Sequence, residues 1–368
     1  MESSELEKYI INVFNKLHSI PEIAFEEFQT SAYIASQLKE LDYEVIEKVG
    51  GTGVIGILDS GSPGPVLAVR ADMDALEFEK DGKTYNVHAC GHDAHSSMVL
   101  GLAKQVKQTG INKGKLYVVF QPAEEGLFGA AKMIQSGMLA EVEEMLGIHL
   151  RPIQEARLGQ ATPALVHGAS NRVDISVKGL NAHGARPHLG INAVDAAVAI
   201  VNGLNAIKAD PSVSHSVKVT SFKGGTDTFN LIPSAAKLVV DVRAQNNEVM
   251  EDILEKVKLA VEYGARSLGA QAQIDFIRGV PAADYCHELT NLARKAIVKE
   301  LGESLEIITT PGGEDFHFYS RDLGIKTGYI GLGADLTPGL HHPDMSFDPS
   351  ALIKGTNILF HMVKSKLG

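Results

Sequence analysis

Cysteine is nearly absent: Cys90 and Cys286 are the only two in 368 residues. That excludes a disulfide framework and suits a reducing compartment. No run of about 20 apolar residues is present, so no membrane-spanning helix is expected. The N-terminal stretch MESSELEKYIINVFNKLHSI begins acidic and lacks a basic region ahead of a long apolar core. It is not read as a secretory signal, and a cytoplasmic location is expected. Positive charge is also short. Lys and Arg number 34 against 45 Asp and Glu, leaving a net charge of −11. Phosphate binding needs the opposite balance, which excludes a non-specific nucleic-acid surface. Any anionic substrate must be met by local arginine, histidine or metal charge.

What is present is ordinary for a soluble globular chain, with 44% hydrophobic and 21% charged residues. The length suggests about two domains. Leu6, Tyr9, Ile10, Val13, Phe14 and Leu17 share one helical face over 5–17, Pro21 ends that helix, and a second is predicted over 26–41. VIGIL (54–58), VLAVR (66–70), LYVVF (116–120) and the stretch ending in LGIHL (146–150) are apolar and rich in β-branched residues, with helical patterns at 93–108 and 129–138. Such alternation predicts an α/β fold whose central, mostly parallel sheet is flanked by helices.

The pattern changes after about Gly168. NRVDISVK (171–178) alternates as a half-buried strand. A helix at 190–206 and strands at 216–222 and 236–243 follow. Next come a helix with Met250, Ile253, Leu254, Val257 and Val261 on one face and a strand at 272–278. This β-α-β-β-α-β order is ferredoxin-like and predicts an inserted domain, residues 169–280, with a free sheet edge. The α/β pattern returns with a helix at 286–301, the loop PGGED (311–315), the strand TGYIGLG (327–333), the loop LHHPD (340–344) and a last helix from about Pro349. Residues 1–168 and 281–368 are therefore expected to form one split domain around the insert.

The polar clusters fall at strand ends. Asp72 and Asp74 follow VLAVR, Glu124 and Glu125 follow LYVVF, His149 closes the next strand, and His341 and His342 follow TGYIGLG. Ligands bind outside the carboxyl ends of strands in open α/β sheets, so four loops are expected to meet at one rim. A fifth, HACGHDAH (88–95), holds three of the 14 histidines and one of the two cysteines at a predicted helix start. His92 and His95, three apart, could share a face. A metal site, a thiol nucleophile and coincidence at a helix start compete to explain it. A thiolate with imidazoles suits zinc, and carboxylates extend the choice to manganese or cobalt. Five or more candidate ligands exceed the four of a closed structural zinc site, which suggests two metals sharing a bridge, with Cys90 a candidate for it. A bound metal lowers the pKa of water from about 15.7 to about 7. Of Glu124 and Glu125, one could ligate while its neighbour takes the proton. Each residue alone has a blander reading: a lone strand-end histidine is structural, adjacent acids favour a helix start, and Cys286 is a core thiol. Convergence on one rim carries the argument.

LHSIPEIAFEEFQT (17–30), AVRADMDAL (68–76), HACGHDAH, FQPAEEG (120–126), GIHL (147–150), NAHGARPH (181–188), FNLIPS (229–234), GGEDF (312–316) and LHHP (340–343) occur in that order. Together they resemble the M20 metallopeptidase clan, specifically its amidohydrolase branch of N-acyl-amino-acid deacylases, hippurate hydrolases and auxin-conjugate hydrolases. The resemblance implies two divalent metal ions, zinc or manganese with cobalt or nickel as options. Cys90, His92, Glu125, His149 and His341 would hold them, with Cys90 bridging. It implies Glu124 as the general base and Asp72 behind the metals as an orienter. It also implies that His183 reaches the active site of a partner subunit to stabilise the tetrahedral oxyanion. Asn230, Gly312 and Gly313 would contact substrate. Apart from the resemblance, the substrate carboxylate needs a cationic partner, and Arg186 and Arg243, both in the insert, are candidates. The resemblance further implies a homodimer through the insert, which acts as a lid, and a small-molecule amide substrate, with neither nucleic acid nor membrane as partner. Glu77 opens the charged stretch EFEKDGK where the family usually has proline. Phe128, Met345, Arg186 and the Asn192-Ala193 pair also depart from the commoner residues. None of these removes a proposed ligand or the base.

The expected activity is hydrolysis of the amide in a small N-acylated amino acid or related conjugate. The rivals are a dipeptidase or aminopeptidase of the same clan, a thiol hydrolase using Cys90 with His92 or His95, and a non-catalytic metal-binding or dimerisation module. A thiol hydrolase has no use for Glu124, Glu125, His149 and His341.

Overall fold

Runs that are apolar on both sides become the inner strands of a seven-stranded sheet. The computed structural model describes residues 3–310 and 312–368; Pro311, first residue of the PGGED loop, lies outside the described residues. The strand order is Glu44–Val49, Gly53–Asp59, Lys115–Gln121, Val66–Asp72, Glu144–Pro152, Lys326–Leu336 and Ala161–Thr162. The four from Lys115–Gln121 to Lys326–Leu336 are parallel and buried along nearly their whole length, which is why each reads as an unbroken apolar run. The outer strands pair antiparallel. The sheet is therefore mixed and parallel only at its centre, where a mostly parallel one was expected. Gly50 and Gly51, both at positive φ, let Glu44–Val49 fold straight back onto Gly53–Asp59, so that pair needs no helical crossover.

The chain divides into two compact units. One comprises the chain up to Val166 with Asp284–Thr309 and Asp315–Gly368; the other is His167–Ala283 with Thr310–Glu314. Thr310–Glu314, which carries Gly312 and Gly313, groups with the insert, whereas the linear reading left it in the split domain. In the first unit, helices Ser3–His18, His92–Thr109 and Ala351–Leu367 pack on one another and on the sheet. Their core includes Ile10, Met98, Leu102, Ile148, Leu332 and Leu359. The charged stretch EFEKDGK, for which no strand is predicted, lies in a hairpin of Leu76–Lys80 with Lys83–Val87, turning at Asp81 and Gly82, both with positive φ, as two-residue hairpin turns require.

The second unit is a four-stranded antiparallel sheet in the order His215–Gly224, Ala235–Ala244, Ala169–Lys178, Gln271–Val280. Helices Ala193–Asn205 and Asn247–Arg266 supply its core with Ala197, Ile200, Ile253 and Val257. Asn192 and Asn246 cap these helices, accepting from Val194 N and Val249 N at 2.9 Å. The element sequence is the ferredoxin-like one.

Candidate metal centre

The carboxyl ends of the parallel strands deliver the polar side chains. Val66–Asp72 leads into Asp74, Lys115–Gln121 into Glu124 and Glu125, and Glu144–Pro152 carries His149. Cys90 and His92 flank Gly91, the residue before helix His92–Thr109, at φ +83°. A side chain at Gly91 would be strained in that conformation, and its Cβ would press on Leu150 at 3.2 Å. This left-handed turn sets the sulfur and the imidazole side by side. His341, also in the left-handed region at φ +62°, is tied to the same loop through its N–H, which donates to Ala89 O at 2.7 Å. The left-handed backbone of His341, beside metal-competent side chains, fits the tendency of strain to sit at functional sites.

Five three-residue groups of candidate ligands emerge among the described residues, and two of them share Cys90. Candidate ligand atoms of Cys90, His92 and His149 lie within 4.8 Å of one another, and so do those of Cys90, Glu125 and His341. Cys90 belongs to both. Its Sγ is 3.5 Å from His149 Nε2, and His341 Nε2 is 3.2 Å from Glu125 Oε1. His342 turns away and accepts from Asp344 N.

The outer nitrogens of the imidazoles are tied back, as in metal sites. His149 Nδ1 donates to Leu150 O at 2.6 Å. His92 Nδ1 donates to Asp74 Oδ1 at 3.2 Å, which leaves His92 Nε2 buried with no hydrogen-bond partner among the described residues. The carboxylates of Asp72 and Glu125 stand 3.7 and 3.9 Å from that atom. An orphaned buried nitrogen, a thiol, a further imidazole with its lone pair directed inward and a carboxylate form a donor set that fits a pair of divalent ions.

Electrostatics agree. Burial alone would lower the His92 pKa, but Asp72 and Cys90 outweigh it and hold it well above the usual histidine value. Contacts with Cys90 and then Glu125 raise His341 to about 10. Protons gather where cations would sit. His149 moves the other way: burial, then His95 and Arg151, hold it well below the usual value and leave a neutral imidazole. Burial, then Glu125, pushes the Cys90 thiol up, the opposite of an activated nucleophile.

Asp72 does not make the orienting bond to His92 Nδ1. Its carboxylate accepts from Arg70 Nη1 and from His95 Nδ1, both at 2.7 Å. Burial would raise its pKa, but the charges of His92, His95 and Arg70 hold it well below the usual carboxylate range. Asp74, to which the sequence reading gave no role, holds His92 and also accepts from Glu124 N at 3.1 Å and Glu125 N at 3.0 Å. Glu27 is a second omission. It is fully buried and accepts from Ala123 N at 2.8 Å, pinning the FQPAEEG loop. It is one of three glutamates in PEIAFEEF, and nothing in the sequence singles it out from Glu22 and Glu26.

The other expected substrate residues lie in the second unit. His183 pairs with Leu231, and Gly184 N donates to Asn230 O at 2.7 Å, so His183 and Asn230 are neighbours. Ala185 N donates to His183 Nδ1 at 3.0 Å. Arg186 is exposed on the same turn. Arg243 is paired with Asp241 at 3.0 Å. Gly313 packs where a Cβ would meet Val280 at 2.6 Å, and Gly312 is two residues from Thr310, to whose hydroxyl its N–H donates at 3.4 Å.

Residues 68–365 match the family described as Peptidase family M20/M25/M40. The chain is 32% identical to an N-acetyl-L-cysteine deacetylase of Bacillus subtilis (strain 168), over 99% of this chain and 89% of that protein. It is 31% identical to a hippurate hydrolase of Campylobacter jejuni, over 97% and 96%. A crystal structure from Bacillus subtilis, described as a dinuclear metal binding peptidase from the M20 family, superposes with a TM-score of 0.81 at 28% identity, covering 99% of this chain and all of that one.

Proposed function

This chain belongs to peptidase family M20/M25/M40, and on that premise we propose that it hydrolyses the amide bond of small N-acylated amino acids and related conjugates. It is a metal-dependent amidohydrolase. The observation that carries the reading is the sharing of Cys90 between two ligand groups. Cys90, His92 and His149 would hold one ion; Cys90, Glu125 and His341 would hold the other. Two divalent ions there, zinc or manganese with cobalt or nickel as substitutes, would polarise the scissile carbonyl and acidify water.

The chain's own groups handle the proton. Glu124 is the general base: it takes the proton of the attacking water on its carboxylate and returns it to the leaving amine. It is buried, and Asp74 fixes its backbone through the Glu124 N–H. His183 is the oxyanion donor. Its Nδ1 accepts from Ala185 N, so in the neutral ring Nε2 carries the hydrogen and is the donor. In this reading Arg186 is the cationic partner of the substrate carboxylate, and Asn230, Gly312 and Gly313 contact the substrate. Dimerisation through the second unit, with His183 serving the partner's site, and a cytoplasmic location complete the proposal. No helix of the described residues is long and apolar enough to cross a membrane.

The test is a panel of N-acetyl, N-benzoyl and indole-acyl amino acids plus unblocked dipeptides, assayed after chelation and after reloading with zinc, manganese or cobalt. Turnover of an acyl series, lost on chelation and restored by metal, is expected. Hydrolysis that survives chelation but falls to an alkylating agent would replace this reading with the thiol one.

A further inference from the structure

Arg70 is fully buried between two buried carboxylates. It gives Nη1 to Asp72 at 2.7 Å and Nη2 to Asp315 at 3.1 Å. Gln121 closes the network: its Oε1 accepts from Arg70 Nε and from the Tyr319 hydroxyl, both at 2.9 Å, and its Nε2 donates to Asp315 at 2.8 Å. Asp315 also accepts from Ala130 N at 2.9 Å. A buried ion network adds little net stability over apolar packing, so its use lies in what it holds, and it holds Asp72.

Asp72 Oδ1 accepts from His95 Nδ1. In a neutral ring this leaves the lone pair on Nε2, which accepts from Leu150 N at 3.0 Å. Leu150 O in turn accepts from His149 Nδ1. Leu150 is thus gripped at its N–H by His95 and at its carbonyl by His149. The consequence appears at the far nitrogen: His149 Nε2 faces Cys90 Sγ. His95 uses both ring nitrogens in this chain and has none left for an ion. Among the described residues the His341 side chain has no comparable brace, and it is 57% exposed.

We propose that His95 is a positioning residue that fixes His149, and with it the cation position built from Cys90, His92 and His149, through a hydrogen-bond chain anchored on Arg70 and Asp315. This rests on the two-metal reading above. It assigns a role to the third histidine of HACGHDAH and to the aspartate of GGEDF, neither of which the hydrolytic mechanism uses.

Two near-isosteres separate the halves of the His95 link. Asparagine places a donor where Nδ1 was, so His95→Asn keeps the bond to Asp72 and loses the one from Leu150 N. Glutamine places an acceptor where Nε2 was, so His95→Gln keeps the Leu150 bond. Equilibrium zinc titration of the chelator-stripped full chain reads both. The wild type is expected to bind two ions. His95→Gln should bind both within about threefold of wild type, and His95→Asn should weaken one by about 10–100-fold while sparing the other. Unchanged binding in His95→Asn, or equal loss in both variants, would overturn the proposal. Nitrogen-15 NMR of the wild-type histidine side chains tests it without a variant: His95 should carry its proton on Nδ1, and a proton on Nε2 instead would refute the chain. A wild type that binds no zinc would overturn the two-metal reading as well; two ions in the wild type with His95→Asn unaltered would overturn only this inference.

Discussion

Replacing Asp74 by asparagine isolates the part of the site that orders the loops. The carboxylate accepts three bonds: Oδ1 from His92 Nδ1 and Glu124 N, Oδ2 from Glu125 N. It is 1% exposed, so water cannot substitute. An amide has one acceptor oxygen. With that oxygen in the Oδ1 place, the amide NH2 must face the Glu125 N–H, so one bond is lost and two donors oppose each other. An unsatisfied buried polar group costs about 1–3 kcal/mol, and the two surviving bonds fall from charged to neutral strength. The sum is about 2–4 kcal/mol of stability. Guanidinium chloride unfolding in chelator measures that loss. Zinc titration measures the separate effect on His92, whose orienting partner weakens; a loss of about 10–100-fold in affinity is expected. An Asp74→Asn chain whose stability stays within about 0.5 kcal/mol of wild type and whose zinc affinity is unchanged would refute the claim that this carboxylate clamps the site.

Glu124→Gln should keep both metals yet lose about 10²–10⁴ in turnover, the usual share of general-base catalysis; metal analysis beside steady-state kinetics checks it, and loss of metal would exchange the roles of Glu124 and Glu125. Gly91→Ala should cost about 1–2 kcal/mol for a non-glycine residue at positive φ and lower metal affinity, read by thermal melting with and without chelator. His341, raised to about 10 in the metal-free chain, holds a proton at pH 7 that an ion must displace. Metal affinity should therefore rise with pH through neutrality, and calorimetry in buffers of different ionisation enthalpy should record proton release.

The sequence announced its layers where burial left no choice. VLAVR, LYVVF and LGIHL are buried along nearly their whole length and do not alternate, while buried and half-buried or exposed positions alternate along NRVDISVK. The α/β class and the ferredoxin-like order follow from those two patterns. The hairpin Leu76–Val87 was missed because its charges read as loop, although the Asp81-Gly82 pair between Phe78 and Tyr85 is a turn signal. The antiparallel edge strands were obscured for another reason: apolar composition does not record direction. At the site, residue types and their place at strand ends were legible. The partners were not. Asp72 and Asp74 are two apart in one short segment, and only the fold shows that one faces Arg70 and His95 while the other faces His92 and the two glutamate amides. Glu27 and His95 act through contacts with Ala123 and Leu150, far away in sequence, and no spacing rule reaches them.

Anomalous diffraction at the zinc edge, from crystals grown with zinc, bears most directly on the shared sulfur. Two peaks about 3.5–4 Å apart are expected, each about 2.3 Å from Cys90 Sγ, one beside His92 and His149 and the other beside Glu125 and His341. A single peak, or two with Cys90 Sγ bound to neither, would contradict the account.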